Sequence, residues 1–489
     1  MYSLSLDEVK LAAKSYGVVP LSVEMFSDAR TPIQVLKLLK NNSKKSYILE
    51  SVESGATWGR YTFLGFDPSC CVYGTNGEVF TENAEGVKSV KENPSEFLKN
   101  LIAGYISPGF NYLPPFTGGL VGYFSYDYIK YAEPSLKLSG KNTENFMDFY
   151  LMLFDKVIAF DHFKQKLVLI ANIKTDNVEA NYKKAVNDLS EIKQLILSGI
   201  PALANIEKNE NSKPDFKQAF SKEQFCQMVE KAKHYITEGD IFQVVLSNRL
   251  EAEFSGSLLS VYRNLRTINP SPYMFYLDFG DLELAGASPE TLVSLKNGVL
   301  NTYPLAGTTK RGKTKQEDDA FVKSLLENEK ELAEHNMLVD LGRNDLGKIS
   351  EFGSVKVEEY LTIRQLSHVS HIASRVTGKI REGLGALDAL DASVPAGTLS
   401  GAPKIRACQI IDELENLKRG PYGGAVGYID FAGNMDLCIG IRMAVKKDNK
   451  VYVQAGAGVV YDSNPEAEYN ECINKSLAMT EAFKAAEEL

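Results

Sequence analysis

Strand-like runs in this chain mostly follow one another directly, and that order restricts the fold more than any other feature. Runs rich in β-branched and aromatic residues occupy 46–51, 59–65, 118–126, 151–160, 166–171, 241–249, 273–278, 282–287, 292–295, 423–430, 436–445 and 451–455. Helical spacing is confined to 179–200, 221–238, 316–340 and 465–487. A doubly wound parallel sheet needs a helix between successive strands, so this order favours an α+β fold. The runs 151–160 and 166–171 are expected to pair as a hairpin. The segment 316–340 reads as one long amphipathic helix, with Phe321, Leu325, Leu332 and Leu338 as core candidates. Ser221 is the expected N-cap of the helix that follows it.

The chain has 489 residues, 44% of them apolar, which is ample for a large core. Its length alone is compatible with about three domains. A polar stretch at 208–214, ending in Pro214, divides an N-terminal region, 1–207, from a C-terminal region, 215–489. The net charge of −9 argues against a nucleic-acid partner. Residues 1–17 contain no apolar core of signal-peptide length, and no apolar run approaches membrane-spanning length. The six cysteines form no CxxC pair. The expectation is a reduced cytoplasmic protein with no zinc site and no membrane association.

Three glycine-rich turns crowd the C-terminal region. They are Gly397-Thr398-Leu399-Ser400-Gly401-Ala402-Pro403-Lys404, Arg419-Gly420-Pro421-Tyr422-Gly423-Gly424, and Gln454-Ala455-Gly456-Ala457-Gly458. Bare backbone of this kind can point N–H groups at a ligand with no side chain in the way. One such turn is an ordinary hairpin. Three of them, interleaved with Lys404, Arg406, Tyr422 and Arg442, suggest a site for a small anion.

Two helix faces carry paired carboxylates. Glu331 and Glu334 are three residues apart; Glu468, Glu471 and Lys475 share a face of the last helix. With no histidine or cysteine cluster nearby, such faces are either solvated or suited to a hard cation. A literal phosphate-loop pattern, G-x-x-x-x-G-K-T, spans Gly307 to Thr314. The strand–helix–strand alternation expected around a phosphate loop is missing, so nucleotide binding is a remote alternative.

The segments GTLSGAPK, RGPYGGAVGY, DLCIGIR and QAGAG resemble the chorismate-utilising enzymes, above all the anthranilate synthase component I branch. The resemblance is dense from about Tyr235 to Lys475 and thinner from Ile48 to Asp67. It implies an α/β sandwich of two packed, mostly antiparallel sheets covered by helices. It also implies a magnesium cofactor, with Glu334 and Glu471 matching direct Mg²⁺ ligands and Glu331 and Glu468 an outer shell acting through water. Arg442 matches the anchor for a substrate carboxylate. Tyr422, Gly456, Gly458 and Thr398 match further substrate contacts, and Lys475 a lysine near the metal. His371, in HIASRV, matches the active-site histidine; His368 and His335 have weaker claims. Glu290, in Gly286-Ala-Ser-Pro-Glu, matches a carboxyl placed to protonate a departing hydroxyl.

Two positions select a branch of the family. Relatives that add water carry a lysine base where this chain has Gln243. Aminodeoxychorismate synthases, the alternative reading, typically carry a lysine in the turn that here reads Pro304-Leu305-Ala306-Gly307-Thr308. The resemblance therefore implies a lyase making anthranilate and pyruvate from chorismate and ammonia, the first committed step of tryptophan biosynthesis. Ammonia would come from a separate glutamine amidotransferase subunit. Leu49, Glu50 and Ser51, with Pro272, Tyr273 and Met274, resemble the family's tryptophan site, and Cys438 matches a further regulatory position. Feedback inhibition by tryptophan is the corresponding expectation. Two small departures, Gly342 in Leu341-Gly342-Arg343 and Asn248 before Arg249, remove none of these groups.

Overall fold

Strand after strand in sequence becomes two antiparallel sheets in space. The computed structural model describes residues 2–51, 59–200, 214–365 and 369–485. Two twelve-stranded sheets pack face to face. From edge to edge, the first runs Val18–Phe26, Lys166–Lys174, Lys156–Asp161, Tyr61–Phe66, Ser46–Glu50, Tyr273–Asp278, Leu282–Ser288, Met443–Lys447, Lys450–Val459, Gln243–Glu253 and Lys217–Gln218. The short Gly401–Ala402 strand also pairs with Gln243–Glu253. The second runs Leu305–Lys310, Val369–Lys379, Val299–Thr302, Thr291–Lys296, Met435–Ile439, Ala425–Asp430, Gly119–Phe124, Phe149–Phe154, Cys70–Thr75, Glu78–Asn83 and Gly86–Lys91, with Lys356–Gln365 paired to Val369–Lys379. Each sheet takes strands from both sides of the 208–214 stretch. Residues 208–213 themselves, like His368, lie outside the described residues.

Alternation along each strand sorts side chains between layers. Tyr47 joins the cluster between the sheets, with Phe116, Met152, Phe275, Val426 and Met443. Its neighbour Ile48 faces the opposite way, into a cluster with Val35, Leu189, Leu258 and Met479 on the covering helices. The second sheet is covered on its outer face by Pro94–Ala103, Glu329–Gly347 and Ala386–Ser393, through Leu98, Val339 and Leu390. The result is the expected sandwich, with helices outside both sheets. Burial of each large core side chain contributes about 1.5–3 kcal/mol.

Three expected elements are divided. Residues 151–160 are not one strand. Phe149–Phe154 belongs to the second sheet and Lys156–Asp161 to the first, and the chain passes between them at Asp155. Only the second half pairs with Lys166–Lys174. Residues 436–445 divide in the same way, into Met435–Ile439 and Met443–Lys447. Arg442 is therefore not on a strand but in the crossover. Both runs are mostly apolar on either side of the crossover because both strands are buried, so alternation could not mark the change of sheet. The segment 316–340 is two helices, Lys315–Leu326 and Glu329–Gly347. Asn328 breaks it by accepting bonds from the N–H groups of Lys330 and Glu331 as N-cap. Leu325 and Leu338 are buried as expected, whereas Phe321 and Leu332 are only partly so. Ser221 caps its helix reciprocally with Gln224.

Candidate active site

Two crossovers between the sheets meet side by side. One leaves Leu282–Ser288 through Pro289 and Glu290 to enter Thr291–Lys296. The other leaves Met435–Ile439 through Gly440, Ile441 and Arg442 to enter Met443–Lys447. They are bonded to each other: Ile439 N–H donates to the Glu290 carbonyl at 3.0 Å, and Ala287 N–H to the Arg442 carbonyl at 3.0 Å. Arg442 has φ of 51°, in the left-handed region that non-glycine residues seldom occupy. Its Nη1 donates to the Lys475 carbonyl at 2.6 Å, which ties the crossover to the Pro465–Ala485 helix.

Glu290 is half-buried, and burial pushes its carboxyl up to about 8; Thr398 and Lys475 oppose the shift. Thr398 Oγ1 donates to Glu290 Oε1 at 3.3 Å. Thr398 comes from the 3₁₀ turn Gly397–Leu399, within the first glycine-rich segment. Burial also lowers the pKa of the Arg442 guanidinium, while Tyr422 and Glu471 favour its charge. An arginine starting above 12 stays cationic under such a shift. Tyr422 is buried, and burial pushes its hydroxyl well up.

The third glycine-rich segment forms a wall. Ser247 pairs with Gly456 and Val245 with Gly458. A Cβ on Gly456 would lie 2.7 Å from the Leu246 carbonyl oxygen and 2.9 Å from Tyr422 Oη. One on Gly458 would lie 2.7 Å from Gln243 Nε2. Glycine is required at Gly456, where backbone approaches so closely; at Gly458 a side chain would have to displace the Gln243 amide. Lys475 Nζ donates to the Gly456 carbonyl at 3.0 Å and pairs with Glu471 at 2.5 Å.

Opposite, Ala306 pairs with Ile372, and a bulge follows before Thr308 meets His371. Gly307 occupies the bulge with φ of 65°. His371 Nδ1 lies 3.2 Å from the Gly307 carbonyl. Because a carbonyl only accepts, Nδ1 carries the hydrogen and Nε2 is the basic nitrogen. Burial lowers the pKa of this imidazole. A Cβ on Gly307 would lie 3.2 Å from Glu331 Oε2, so the first acidic helix face reaches this bulge. The same strand explains the phosphate-loop pattern: Leu305–Lys310 is extended and paired, and Thr314 caps the next helix. The backbone does not wrap around a phosphate there.

The carboxylates of the two helices share one electrostatic field. Glu334 is raised first by burial, then by Glu331 and Glu471, with Lys330 and Lys475 opposing. Glu468 is raised by burial and by Glu471, against a hydrogen bond from Ser463. Among the described residues no three His, Cys, Asp or Glu side chains gather into a closed metal cage. Mg²⁺ rarely uses one: it takes one or two carboxylates and fills its octahedron with water and substrate oxygens. Hard oxygen donors brought together on two helix faces fit such an ion.

Two basic residues of the expected anion site are absorbed elsewhere. Lys404 Nζ bonds Asp345 at 2.9 Å and the Ser393 carbonyl at 3.1 Å; Arg406 bonds Asp240 at 2.6 Å. Both are structural ties, leaving Arg442 and Lys475 as the cations of the cluster. His335, beside Glu334 in sequence, is fully buried with Nε2 2.6 Å from Ser374 Oγ. Arg419, to which sequence reasoning gave no role, is fully buried next to Tyr422. Its only sequence signal is its place directly before Gly420-Pro421-Tyr422.

The two segments expected to bind tryptophan also meet. Glu50 pairs with Met274 and Leu49 with Phe275. Glu50 is buried and already engaged: it accepts from Tyr262 Oη at 2.6 Å and pairs with Arg266 at 2.7 Å. Ser51 Oγ is buried without a hydrogen-bond partner among the described residues. Pro272 is buried beside them. Tyr273 Oη shares a hydrogen bond with Thr291 Oγ1 and donates to Asp436, both at 2.8 Å. Cys438 is buried opposite Thr291, one layer away in the second sheet.

Comparison with known proteins gives the family and the fold. The profile of the chorismate binding enzyme family matches residues 45–481. Anthranilate synthase component 1 of Acetivibrio thermocellus is 46% identical, with both chains covered in full. That of Aquifex aeolicus is 45% identical over 99% of each chain. Among solved structures, anthranilate synthase component I from Streptococcus pneumoniae superposes with a TM-score of 0.76 at 41% identity, covering 88% of this chain and 93% of that one. The chain thus belongs to the chorismate binding enzymes, within the anthranilate synthase component I branch.

Proposed function

We propose that this site converts chorismate and ammonia into anthranilate, pyruvate and water, with Mg²⁺ as cofactor. The carrying observation is Glu290, an acid that burial keeps protonated to about pH 8, fixed on the crossover bonded to that of Arg442. A carboxyl with that pKa is a competent proton donor at neutral pH.

Arg442 holds the substrate carboxylate with the planar fork of its guanidinium. Tyr422 and the backbone of Gly456 and Gly458 complete the wall, and Lys475 adds positive charge. Glu334 and Glu471 would hold Mg²⁺, with Glu331 and Glu468 in support, and the bound ion would supply positive charge that makes the substrate ring more electrophilic. Ammonia adds at C2. Glu290 gives its proton to the departing C4 hydroxyl, which leaves as water, and Thr398 keeps the carboxyl aimed. The C2 proton passes to Nε2 of His371, which its lowered pKa leaves neutral and able to accept. The enolpyruvyl group then departs as pyruvate. Gln243 has an amide, not an amine, and cannot deprotonate water, so ammonia is the nucleophile. Ala306 offers no nucleophile of its own.

Free ammonia is scarce at neutral pH, so a separate glutamine amidotransferase subunit is the proposed source. The proposed location is the cytoplasm; among the described residues no helix is long and apolar enough to cross a membrane. Tryptophan is the proposed feedback inhibitor, bound where Leu49–Ser51 meets Pro272–Met274.

Nitrogen supply tests the reading. The purified chain alone should use ammonium salts and not glutamine, and glutamine should serve once the amidotransferase subunit is added. Efficient use of glutamine by the chain alone would overturn the separate-subunit proposal.

A further inference from the structure

Among the described residues Arg419 is the largest fully buried side chain; it bonds two walls of the site and lies beside the Tyr422 ring. Its Nη1 donates to the Leu399 carbonyl at 2.6 Å, the residue directly after Thr398. Its Nη2 donates to the Val245 carbonyl at 2.7 Å and to Glu415 Oε1 at 2.5 Å; Nε donates to Glu415 Oε2 at 2.9 Å. Glu415 in turn accepts from the Ser247 N–H at 2.8 Å and its hydroxyl at 3.0 Å. Val245 and Ser247 are the register partners of Gly458 and Gly456. The guanidinium also lies 4.6 Å from the Tyr126 ring centre and 5.8 Å from that of Tyr422.

We infer that Arg419, paired with Glu415, is a positioning residue that sets the Thr398 turn, the Gly456–Gly458 wall and Tyr422 in one geometry. This rests on the proposed use of that site, but its test reads differently. The guanidinium makes four hydrogen bonds in one plane, two of them to both oxygens of Glu415; a lysine ammonium has three donors and no such fork. Its polar bonds lie inside the protein, so it acts through other groups rather than on substrate.

The test is Arg419→Lys in the full chain, with chorismate, Mg²⁺ and ammonium salt, scored per folded molecule by circular dichroism. A sub-ångström displacement of the walls should raise KM for chorismate and lower kcat/KM by about 10²-fold. A residue that merely stabilised the fold would reduce the folded fraction and leave KM unchanged. Thr398→Val supplies the second arm. If Arg419 acts through the Thr398 turn, the Lys substitution should cost much less in the Thr398→Val background than in wild type. Unchanged KM per folded molecule, or strictly additive losses, would overturn the inference. Should Arg419→Lys fail to fold, Ser247→Ala weakens the same network more gently. A several-fold rise in KM supports the inference and an unchanged KM overturns it. If wild type itself makes no anthranilate, the proposed reaction fails, whatever Arg419 does.

Discussion

Glu290 and Arg442 occupy neighbouring points at which the chain leaves one sheet for the other, and two backbone hydrogen bonds hold those points together. Where consecutive strands diverge into separate sheets, the side chains between them are released from the alternating pattern. An acid and a cation are placed there, set by rigid strands on either side. Precision of that kind comes from scaffold elements rather than from long loops.

The alkaline limb of the pH profile follows from Glu290. Its folded-state pKa is raised to about 8, so the protonated form prevails below that value and is lost above it. At fixed free ammonia, kcat should fall as pH rises through about 8. Glu290→Gln should lose about 10²–10⁴-fold in kcat and abolish that limb. The same sign applies to stability: favourable burial of the neutral carboxyl is lost as pH rises through about 8. Glu290→Gln should therefore gain on wild type in thermal scans as pH rises from about 4.5 to about 8, with no further gain above that. A Gln variant with the wild-type limb would remove Glu290 from the acid role.

The acidic helix faces make a second prediction. Glu334→Gln and Glu471→Gln each remove a charged oxygen donor on a helix surface. The fold should survive, while turnover at millimolar Mg²⁺ should become undetectable. Magnesium titration of each variant checks this, and near-normal activity at saturating chorismate would exclude that residue from the metal site.

Gly456→Ala tests the wall. The added methyl would press on the Leu246 carbonyl and on Tyr422 Oη. Destabilisation of about 1–3 kcal/mol is expected, with KM for chorismate rising because Tyr422 must shift. Chemical denaturation and steady-state kinetics would measure both. An unchanged KM would show that Tyr422 does not contact substrate.

Regulation is tested at Ser51. Its buried hydroxyl has no partner among the described residues, next to the Glu50–Met274 pair. Ser51→Phe should fill the space and relieve inhibition by tryptophan with little loss of catalysis. Linkage requires that chorismate and tryptophan weaken each other's binding in wild type. Identical inhibition curves for the two proteins would place the effector elsewhere.

Much of this was legible in the sequence, and the exceptions share a cause. Tyr273–Asp278 is found where its aromatic run predicts, and Ser221 caps the helix it precedes. What alternation cannot report is which sheet a fully buried strand joins, so 151–160 and 436–445 each read as one strand. Arg442 consequently looked like a strand residue, when its left-handed backbone is what turns it into the site. The break at Asn328 did leave a signal, an N-cap residue followed by Glu331, hidden inside a longer periodic pattern. Glu290, Thr398, His371 and the paired carboxylates stand in segments that resemble the family's motifs, which is what marked them as candidates. Lys404 and Arg406 misled because charge alone does not reveal that a partner such as Asp345 or Asp240 lies across the fold. The network of Arg419 was invisible for the same reason: every hydrogen-bond partner but Glu415 is distant in sequence.

The most direct measurement is product analysis of the purified chain with chorismate, Mg²⁺ and an ammonium salt, following anthranilate by its fluorescence and pyruvate by coupled reduction. Equal amounts of anthranilate and pyruvate, rising with free ammonia, are the predicted result. Chorismate consumed into a hydroxylated isomer, or into an aminated product that retains its enolpyruvyl group, would contradict it.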